Sequence, residues 1–199
     1  MPDPVPASET GRIEAFSDGV IAIIITIMVL ELRPPEHPTF ESLMRLWPVM
    51  LAYALSFMQV GVYWVNHHQL LDSATIATNA LRWANMLWLF CVSLIPFGTA
   101  WWGEHPGEAI PTAVYLVTLL LPALVYPWLE VEALCNATPD DTSAQHRIQQ
   151  RKAAVSLCIY GAGIAFAFVS SAVSIACTFA VSVLWMLPGS RIDRLFGKI

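Results

Sequence analysis

Charged residues are scarce in this sequence. Asp, Glu, Lys and Arg make up 13% of its 199 residues, whereas hydrophobic residues make up 56%. A soluble globular domain carries about 25% charged residues, so water is excluded as the solvent for most of this protein's surface. The ten basic residues form no cluster larger than Arg147, Arg151 and Lys152. We therefore expect no nucleic acid among the partners.

Cysteine spacings typical of zinc or redox sites are also missing. The four cysteines include no CxxC pair. Cys91, Cys158 and Cys177 lie inside apolar runs, where a thiol behaves as a small hydrophobic side chain, so we predict no disulfide. A cleaved signal peptide is not expected, because the acidic residues Glu14 and Asp18 flank the first apolar run and no basic leader precedes it.

What the sequence has in abundance is apolar runs long enough to cross a bilayer. A membrane-spanning helix needs roughly 17–25 mostly apolar residues. Four such helices are predicted over residues 12–32, 46–71, 81–102 and 110–134. Pro34 and Pro35 end the first helix. Pro122 and Pro127 should kink the fourth without breaking it, because neighbouring helices can bond the freed backbone groups.

The last apolar block, residues 153–187, is long enough for two short helices. Ser170, Ser171 and Ser174 predict the turn between them, and Gly161 and Gly163 favour close helix packing. Six crossings with the N-terminus inside would place eight of the ten basic residues on the cytoplasmic side, as the positive-inside rule requires. Those eight are Arg12, Arg82, Arg147, Arg151, Lys152, Arg191, Arg194 and Lys198.

The predicted architecture is therefore an all-α, polytopic membrane protein of six transmembrane helices in the plasma membrane. Both termini and the polar loop over residues 136–152 are expected on the cytoplasmic side. Residues 1–11 are predicted as a disordered lead, residues 12–187 as the transmembrane domain and residues 188–199 as a short basic tail.

The first helix opens with polar residues, including Arg12, Ser17 and Asp18. An ionisable group inside a membrane helix is costly unless it is paired, which makes Asp18 a functional candidate. Two interpretations remain open. Ser17 and Asp18 cap a helix that starts near Gly19, or they belong to a buried polar network between helices.

The residues around Asp18 resemble a known family signature. Arg12-x-x-x-Phe16-Ser17-Asp18-Gly19 resembles the opening of the first helix in the transmembrane protein 175 family, which comprises endolysosomal potassium channels and their bacterial relatives. The resemblance continues in the second helix with Trp64-x-Asn66-His67-His68, and in the third with Asn85 and Pro96-Phe97. It covers the second half of the chain by hydropathy alone. One such unit in a chain of this length resembles the bacterial branch, whose members assemble as homotetramers.

The resemblance implies a pore lined by the first helix of four subunits, with hydrophobic rings in place of a carbonyl filter. By position, those rings fall on Ile23, Ile27 and Leu30, with Thr26 beside them. At about 100° per residue the three apolar residues share one stripe of the helix. The sequence contains no TVGYG-like loop, so selectivity would come from this constriction. The alternative for such a stripe is a surface that faces lipid.

The resemblance also implies a structural polar network between helices, made of Arg12, Ser17, Asp18, Trp64, His67, His68 and Asn85. Two alternatives remain for parts of this set. His67, His68 and Asp72 could ligate a metal ion, although adjacent histidines point about 100° apart. Ser17, Asp18 and His67 could form a hydrolase site, but no GxSxG or oxyanion motif accompanies them. We predict neither a metal site nor an enzyme.

Glu31 is placed near the outer mouth of such a pore. It would form an acidic ring that concentrates cations, or it would be an interfacial carboxylate paired with Arg33. The predicted function is a potassium-selective, or weakly selective, cation channel that passes K⁺ passively and needs no cofactor. Two other classes remain: a proton-conducting or proton-coupled transporter, and a structural or regulatory membrane protein without flux.

Overall fold

The computed structural model describes residues 9–135 and 143–186, with residues 143–148 described by their backbone alone. Every regular element in these two ranges is an α-helix, so the all-helical prediction is confirmed there. In chain order the helices are α1 (Glu9–Leu30), α2 (Phe40–Arg45), α3 (Trp47–Asp72), α4 (Asn79–Ser93), α5 (Ile95–Glu104), α6 (Ala109–Leu134), α7 (Ser143–Phe166) and α8 (Ser171–Met186). The predicted tail over residues 188–199 lies outside the described ranges.

Four apolar helices have the length and composition to cross a membrane: α1, α3, α4 together with α5, and α6. They coincide with the four predicted runs. The first begins at Glu9 rather than Arg12, so residues 9–11 of the predicted lead are helical. An acidic residue in the first turn is favoured by the helix dipole, and Glu9 also accepts a 3.0 Å hydrogen bond from Arg82. Both interactions stabilise this additional turn.

The third span is divided into α4 and α5 at Leu94, a break that the sequence analysis did not predict. Pro96 has no backbone N–H to donate to Val92, and its ring would clash with the Val92 carbonyl in a regular helix. The chain turns more tightly instead, with the Leu94 N–H donating to the Cys91 carbonyl at 3.3 Å. By contrast, α6 continues through Pro122 and Pro127 as predicted. Close to Pro122, Tyr63 on α3 donates its hydroxyl to the Leu119 carbonyl at 2.5 Å.

A short helix, α2, precedes α3 and was not predicted, because its six residues are too few and too mixed to give a periodic pattern. Thr39 caps it by accepting a hydrogen bond from the Ser42 N–H at 3.2 Å. An ion pair of 2.7 Å between Arg45 and Glu41 links successive turns. Phe40 is 77% exposed and Leu43 45%, a surface typical of a helix that lies at a membrane interface.

The final apolar block forms two helices, α7 and α8, with the turn at residues 167–170. Ser170 is in that turn as predicted, whereas Ser171 and Ser174 belong to α8. Helix α7 starts at Ser143, ten residues before the predicted block. Gly163 packs closely as predicted, since an added Cβ would meet a Leu116 methyl and Cys177, whereas nothing lies within 4 Å of Gly161 on that side.

The core of the bundle centres on large side chains with 0% exposure, including Trp88 on α4, Tyr115 on α6 and Tyr160 on α7. Helix α1 packs at the edge of this bundle, against α3, α4 and α5. It is the least enclosed of the four long apolar helices. A helix that is apolar all round yet packs on one side only leaves a large apolar surface for lipid or for other subunits.

Candidate permeation site

Helix α1 has two apolar faces with different surroundings. The face toward the bundle carries Ile21, Ile24 and Met28, each at most 3% exposed. The opposite stripe carries the predicted pore residues: Ile23 is 59% exposed, Ile27 43% and Leu30 75%. Because none of the residues that the structure describes buries these three side chains, the stripe is available to face a pore, a neighbouring subunit or lipid.

Thr26 lies beside the stripe, whereas Ile25 lies about 200° around the helix from Ile23. The Thr26 hydroxyl donates to the Ile23 carbonyl at 2.8 Å, one turn back on the same helix. This bond satisfies the hydroxyl proton locally, and the oxygen keeps lone pairs that can face a cation or water. Ile25 is half-buried and packs against the core, so of three successive isoleucines only Ile23 is largely exposed.

A buried chain of hydrogen bonds connects α1 to α3 through α4. The Asn85 side-chain amide donates to the Ser17 hydroxyl at 2.9 Å, and Ser17 donates to the Ile13 carbonyl at 2.8 Å. His67 Nε2 lies 2.7 Å from Asn85 Oδ1. Asn85 Oδ1 can only accept a hydrogen bond. His67 must therefore be the donor, which places a proton on its Nε2. The resulting chain is neutral and ends on the backbone of α1.

These hydrogen bonds exclude two of the alternatives that the sequence left open. Ser17 lies two turns inside α1, which begins at Glu9, so the interpretation of Ser17 and Asp18 as a helix cap is wrong. The hydrolase interpretation lacks its essential contact, because Asn85 lies between Ser17 and His67 and the serine hydroxyl already donates to a carbonyl.

Asp18 and His68 belong to a second set of contacts between α1 and α3, nearer the surface. Trp64 Nε1 donates to Asp18 Oδ1 at 2.9 Å. The Trp64 ring stacks on His68 with centroids 5.8 Å apart. His68 Nδ1 lies 2.6 Å from Glu14 Oε1, and its Nε2 lies 3.7 Å from Asp72 Oδ2. The structure therefore separates the two histidines: His67 joins the buried chain, and His68 joins this carboxylate cluster.

The cluster of Glu14, His68 and Asp72 has its ligand atoms within 4.8 Å of one another. The two carboxylates approach opposite nitrogens of the His68 ring, and a single metal ion could use only one of those nitrogens. The three side chains form a polar cluster near the surface, with one carboxylate beside each nitrogen of the ring. Glu14 was missed in the sequence analysis, although its position four residues before Asp18 places both side chains on one face of α1.

Arg12 does not join the polar network within the subunit, contrary to our expectation. Its side chain is exposed and has no hydrogen bond or ion pair to the residues that the structure describes. The basic residue that does bond α1 from another helix is Arg82 on α4, which pairs with Glu9 at 3.0 Å. Arg12 therefore remains available for a group outside the subunit.

Glu31 follows the last turn of α1 and borders a groove of about 480 Å³ on the same side as the α1–α2 connection. Arg33 and Glu104 border the same groove. The predicted pairing of Glu31 with Arg33 is not among the ion pairs of the described residues. Glu31 is exposed, so its carboxylate can contribute charge at this end of α1.

Comparisons with known proteins identify the family. Residues 12–96 match the family model described as the endosomal/lysosomal potassium channel TMEM175. A Chryseobacterium protein named a potassium channel is 38% identical over 185 residues, which cover 92% of this chain and 96% of that protein. The human protein, named an endosomal/lysosomal proton channel, is 29% identical over 130 residues, 58% of this chain and 26% of that one.

The fold agrees with a solved member of the same family. A crystal structure of a lysosomal potassium-selective channel TMEM175 homologue from Chamaesiphon minutus matches with a TM-score of 0.74 and 32% identity, covering 91% of this chain and 98% of that one. The agreement extends over α6, α7 and α8, where the sequence analysis had hydropathy alone. This chain belongs to the TMEM175 family.

Proposed function

We propose that this protein is a potassium channel, in which four copies surround a central pore lined by α1. The observation that carries the proposal is the division of α1 into two faces. One face is bonded into the subunit through Ser17, and the other presents Ile23, Ile27 and Leu30, 43–75% exposed, with no cover from the subunit itself. The bacterial relatives named potassium channels support the choice of K⁺ as the permeant ion.

The proposed constriction is the ring of four Ile23 side chains, with rings of Ile27 and Leu30 further along the same stripe. Branched apolar side chains that converge on an axis leave a neck in which a water column is unstable, so conduction is gated by dewetting. Thr26 lies beside this neck and offers hydroxyl oxygens to a partly dehydrated cation. A ring of Glu31 carboxylates at the outer end would raise the local cation concentration.

The network behind α1 has a structural role in this proposal. Ser17, Asn85 and His67 fix the buried face of α1 to α4 and α3, and Trp64 bonds Asp18, the next residue of α1, nearer the surface. A helix held on one side by directional bonds keeps its other face at a defined rotation. Arg12, which is exposed and unpaired within the described subunit, is positioned to bond a neighbouring copy.

We further propose six crossings, with α7 and α8 as the last two, in the plasma membrane with both termini cytoplasmic. Helix α8 has 16 residues, short for a span, and is accommodated by close packing against α7 around Gly163. The charge distribution supports the orientation: Arg12, Arg82 and Arg151 would then share the cytoplasmic side.

A second candidate function is proton conduction, because the vertebrate relatives are named proton channels. Those relatives are matched over 19–26% of their own length, whereas two bacterial relatives, from Chryseobacterium and Chamaesiphon, are matched over 95–96% of theirs. The longer match favours K⁺ as the main permeant ion, with passive flow and no cofactor.

Purified protein in planar bilayers or liposomes tests the function. We expect a current that reverses at the K⁺ equilibrium potential when K⁺ is 150 mM on one side and about 15 mM on the other, a tenfold gradient worth about 1.4 kcal/mol. A reversal potential that follows an imposed pH gradient at symmetric K⁺ would indicate proton conduction. Silence from protein that remains folded and oligomeric would refute both channel functions.

Cysteine labelling tests the orientation. The four native cysteines would be replaced by serine or alanine, and Asp3→Cys or Gly197→Cys introduced singly. Both should resist an impermeant maleimide in intact cells and react after lysis. His37→Cys, in the exposed α1–α2 connection, is the matched control that should react from outside. Labelling of either terminus in intact cells would contradict the six-crossing topology.

A further inference from the structure

A small cavity lies on the side of α3 that faces away from α1. Gln59, Tyr63 and Asn66 line it from α3, and α6, α7 and α8 supply the remaining walls. At about 100° per residue, these three positions lie roughly opposite Trp64 and His68, whose side chains contact α1. The cavity has a volume of about 20 Å³. A single water molecule needs about 10–15 Å³ on this measure, so the space suits one water and no larger ligand.

Two polar atoms that line this cavity lack a hydrogen bond of standard geometry. Gln59 and Tyr160 are both 0% exposed. Both side chains lie beside the Tyr63 hydroxyl, but Gln59 Nε2 and the Tyr160 hydroxyl make no hydrogen bond of standard distance and angle to any residue that the structure describes. The other amide atom, Gln59 Oε1, accepts a 2.8 Å hydrogen bond from Ser182 on α8. If the amide were flipped, Nε2 would donate to Ser182, whose hydroxyl can donate to the Thr178 carbonyl at 3.1 Å, and Oε1 would take the place of Nε2. In either orientation one amide atom faces the cavity.

The cavity also offers acceptors. The Tyr63 hydroxyl donates to the Leu119 carbonyl, and the Ser156 hydroxyl donates to the Lys152 carbonyl at 2.8 Å. Ser156 also accepts a 2.9 Å bond from Trp185. Each of these hydroxyl oxygens keeps a lone pair after these bonds have been made. Buried polar groups in native proteins are almost always paired with protein or with ordered water, and these walls hold two groups that need a partner and two that can accept.

We propose that this cavity binds one resident water molecule. Gln59 Nε2 and the Tyr160 hydroxyl donate to the water oxygen, and its two protons go to the oxygens of Tyr63 and Ser156. This gives the water four partners, the upper end of the range for buried waters. The residues belong to α3 and α7, so the water connects the helix that supports α1 to the final helix pair.

The site explains why polar residues occupy the interior here without an ionised group among them. It also links the two halves of the chain: one face of α3 holds α1 through Trp64 and His68, and the other holds α7 through the water. The proposal concerns the interior of a single subunit and is independent of the number of subunits and of the permeant ion.

Hydroxyl-radical labelling after a brief X-ray pulse tests the site, because radicals generated from a bound water modify the side chains it touches. Tyr160 should be oxidised well above Tyr115, a matched control that is also 0% exposed but accepts its hydrogen bond from Ser56 at 3.1 Å. Equal labelling of the two tyrosines in the folded protein would overturn the proposal.

Tyr160→Phe provides a second test, whose sign separates a wet cavity from a dry one. With water bound, the variant removes one of its hydrogen bonds and should lower the thermal midpoint by about 2–4 °C, the shift produced by a typical single bond in a protein of this size. In a dry cavity the same change removes an unpaired buried hydroxyl, so the midpoint should rise. A raised or unchanged midpoint would overturn the proposal.

Discussion

The two faces of α1 have nearly the same composition and opposite surroundings. Ile24 is 3% exposed and Ile23, its neighbour in the chain, is 59% exposed. The buried face packs on α3, α4 and α5 and contains Ser17, which is hydrogen-bonded to Asn85 on α4. The exposed face is apolar at Ile23, Ile27 and Leu30 and has no partner among the described helices α2 to α8. A single helix therefore combines a fixed side and a free side.

Because the two faces differ in exposure, substitutions on the buried face should affect folding and substitutions on the exposed face should affect conduction. A substitution on the buried face disturbs packing inside one subunit, where a polar side chain finds no water. A substitution on the exposed face changes only the surface that the stripe presents to its surroundings. If the stripe lines a pore, a polar side chain there is hydrated; if it faces lipid, the same side chain has no partner and destabilises the protein.

The largest expected effect is loss of folded protein in Ile24→Asn. The change removes buried packing and places an unpaired amide against α3 and α4, at a cost of about 2–5 kcal/mol. Ile23→Asn is the matched variant one residue away and should keep a near-native thermal midpoint in detergent. Size-exclusion yield and thermal unfolding measure both. Equal loss of folding in the two variants would mean that the stripe faces lipid or a packed interface.

Ile23→Asn should also raise the basal current. Four amides around the neck would hold water there, and each 1.4 kcal/mol removed from the dewetting barrier increases the current about tenfold. Preference for K⁺ over Na⁺ should weaken, because hydrated amides no longer impose a fixed width. Ile25→Asn is the control, since Ile25 is half-buried against the core. An equal or larger current per amount of folded protein for Ile25→Asn would place the pore on another face of α1.

The contrast between Ile23 and Ile24 also shows how far the sequence alone could predict the site. The four long spans could be predicted because about twenty apolar residues in a row admit few alternatives. The stripe at positions 23, 27 and 30 came from a family resemblance. Periodicity could not select it, because Ile21, Ile23, Ile24, Ile25 and Ile27 are chemically identical and a shift of one residue rotates the face by about 100°.

The second largest effect is expected in the buried chain behind α1. Asn85→Leu keeps the volume but leaves His67 Nε2 without its acceptor and Ser17 without its donor. The cost is about 1–3 kcal/mol, and each kcal/mol lowers the thermal midpoint by roughly 2–4 °C. Asp72→Asn is the control: its side chain is 63% exposed and 3.7 Å from His68, and its effect should be within about 0.5 kcal/mol.

A thermal midpoint in Asn85→Leu that equals that of Asp72→Asn would mean that the chain through Ser17, Asn85 and His67 contributes little. The free face of α1 would then be oriented by packing alone. Such a result would show that hydrogen bonds do not fix the buried face of α1. The comparison of the Ile23 and Ile24 variants tests the exposed face.

The same network shows which details of the site lay beyond prediction. His67 and His68 are adjacent, and only the packing of α3 between α1 and α4 decides that His67 meets Asn85 while His68 meets Glu14. Arg12 was expected among these residues from the family resemblance. Arg12 has no partner among the described residues. The groups that a neighbouring copy would place beside Arg12 cannot be read from the sequence of one subunit.

The smallest effect is expected from two acidic residues, Asp18 in the middle of α1 and Glu31 just after its last turn. Asp18→Ala removes the acceptor of Trp64 Nε1 at a partly exposed position. A hydrogen bond to a charged group contributes about 1.5–3 kcal/mol when buried and less when exposed, so we expect a midpoint lowered by a few degrees, less than in Asn85→Leu. Glu31→Ala removes a carboxylate without an ion pair among the described residues and should leave the midpoint unchanged.

The effects of these two substitutions on the current should rank in the opposite order to their effects on the thermal midpoint. Glu31→Ala should reduce K⁺ current at low ionic strength and have little effect in high salt, because an exposed ring of charge is screened within about 10 Å at 0.1 M salt and about 3 Å at 1 M. Asp18→Ala should change current only in proportion to the loss of folded protein. If Asp18→Ala and Glu31→Ala unfold at the same temperature, the Trp64 bond does not hold α1. If Glu31→Ala conducts normally at every salt concentration, its carboxylate lies away from the ion path.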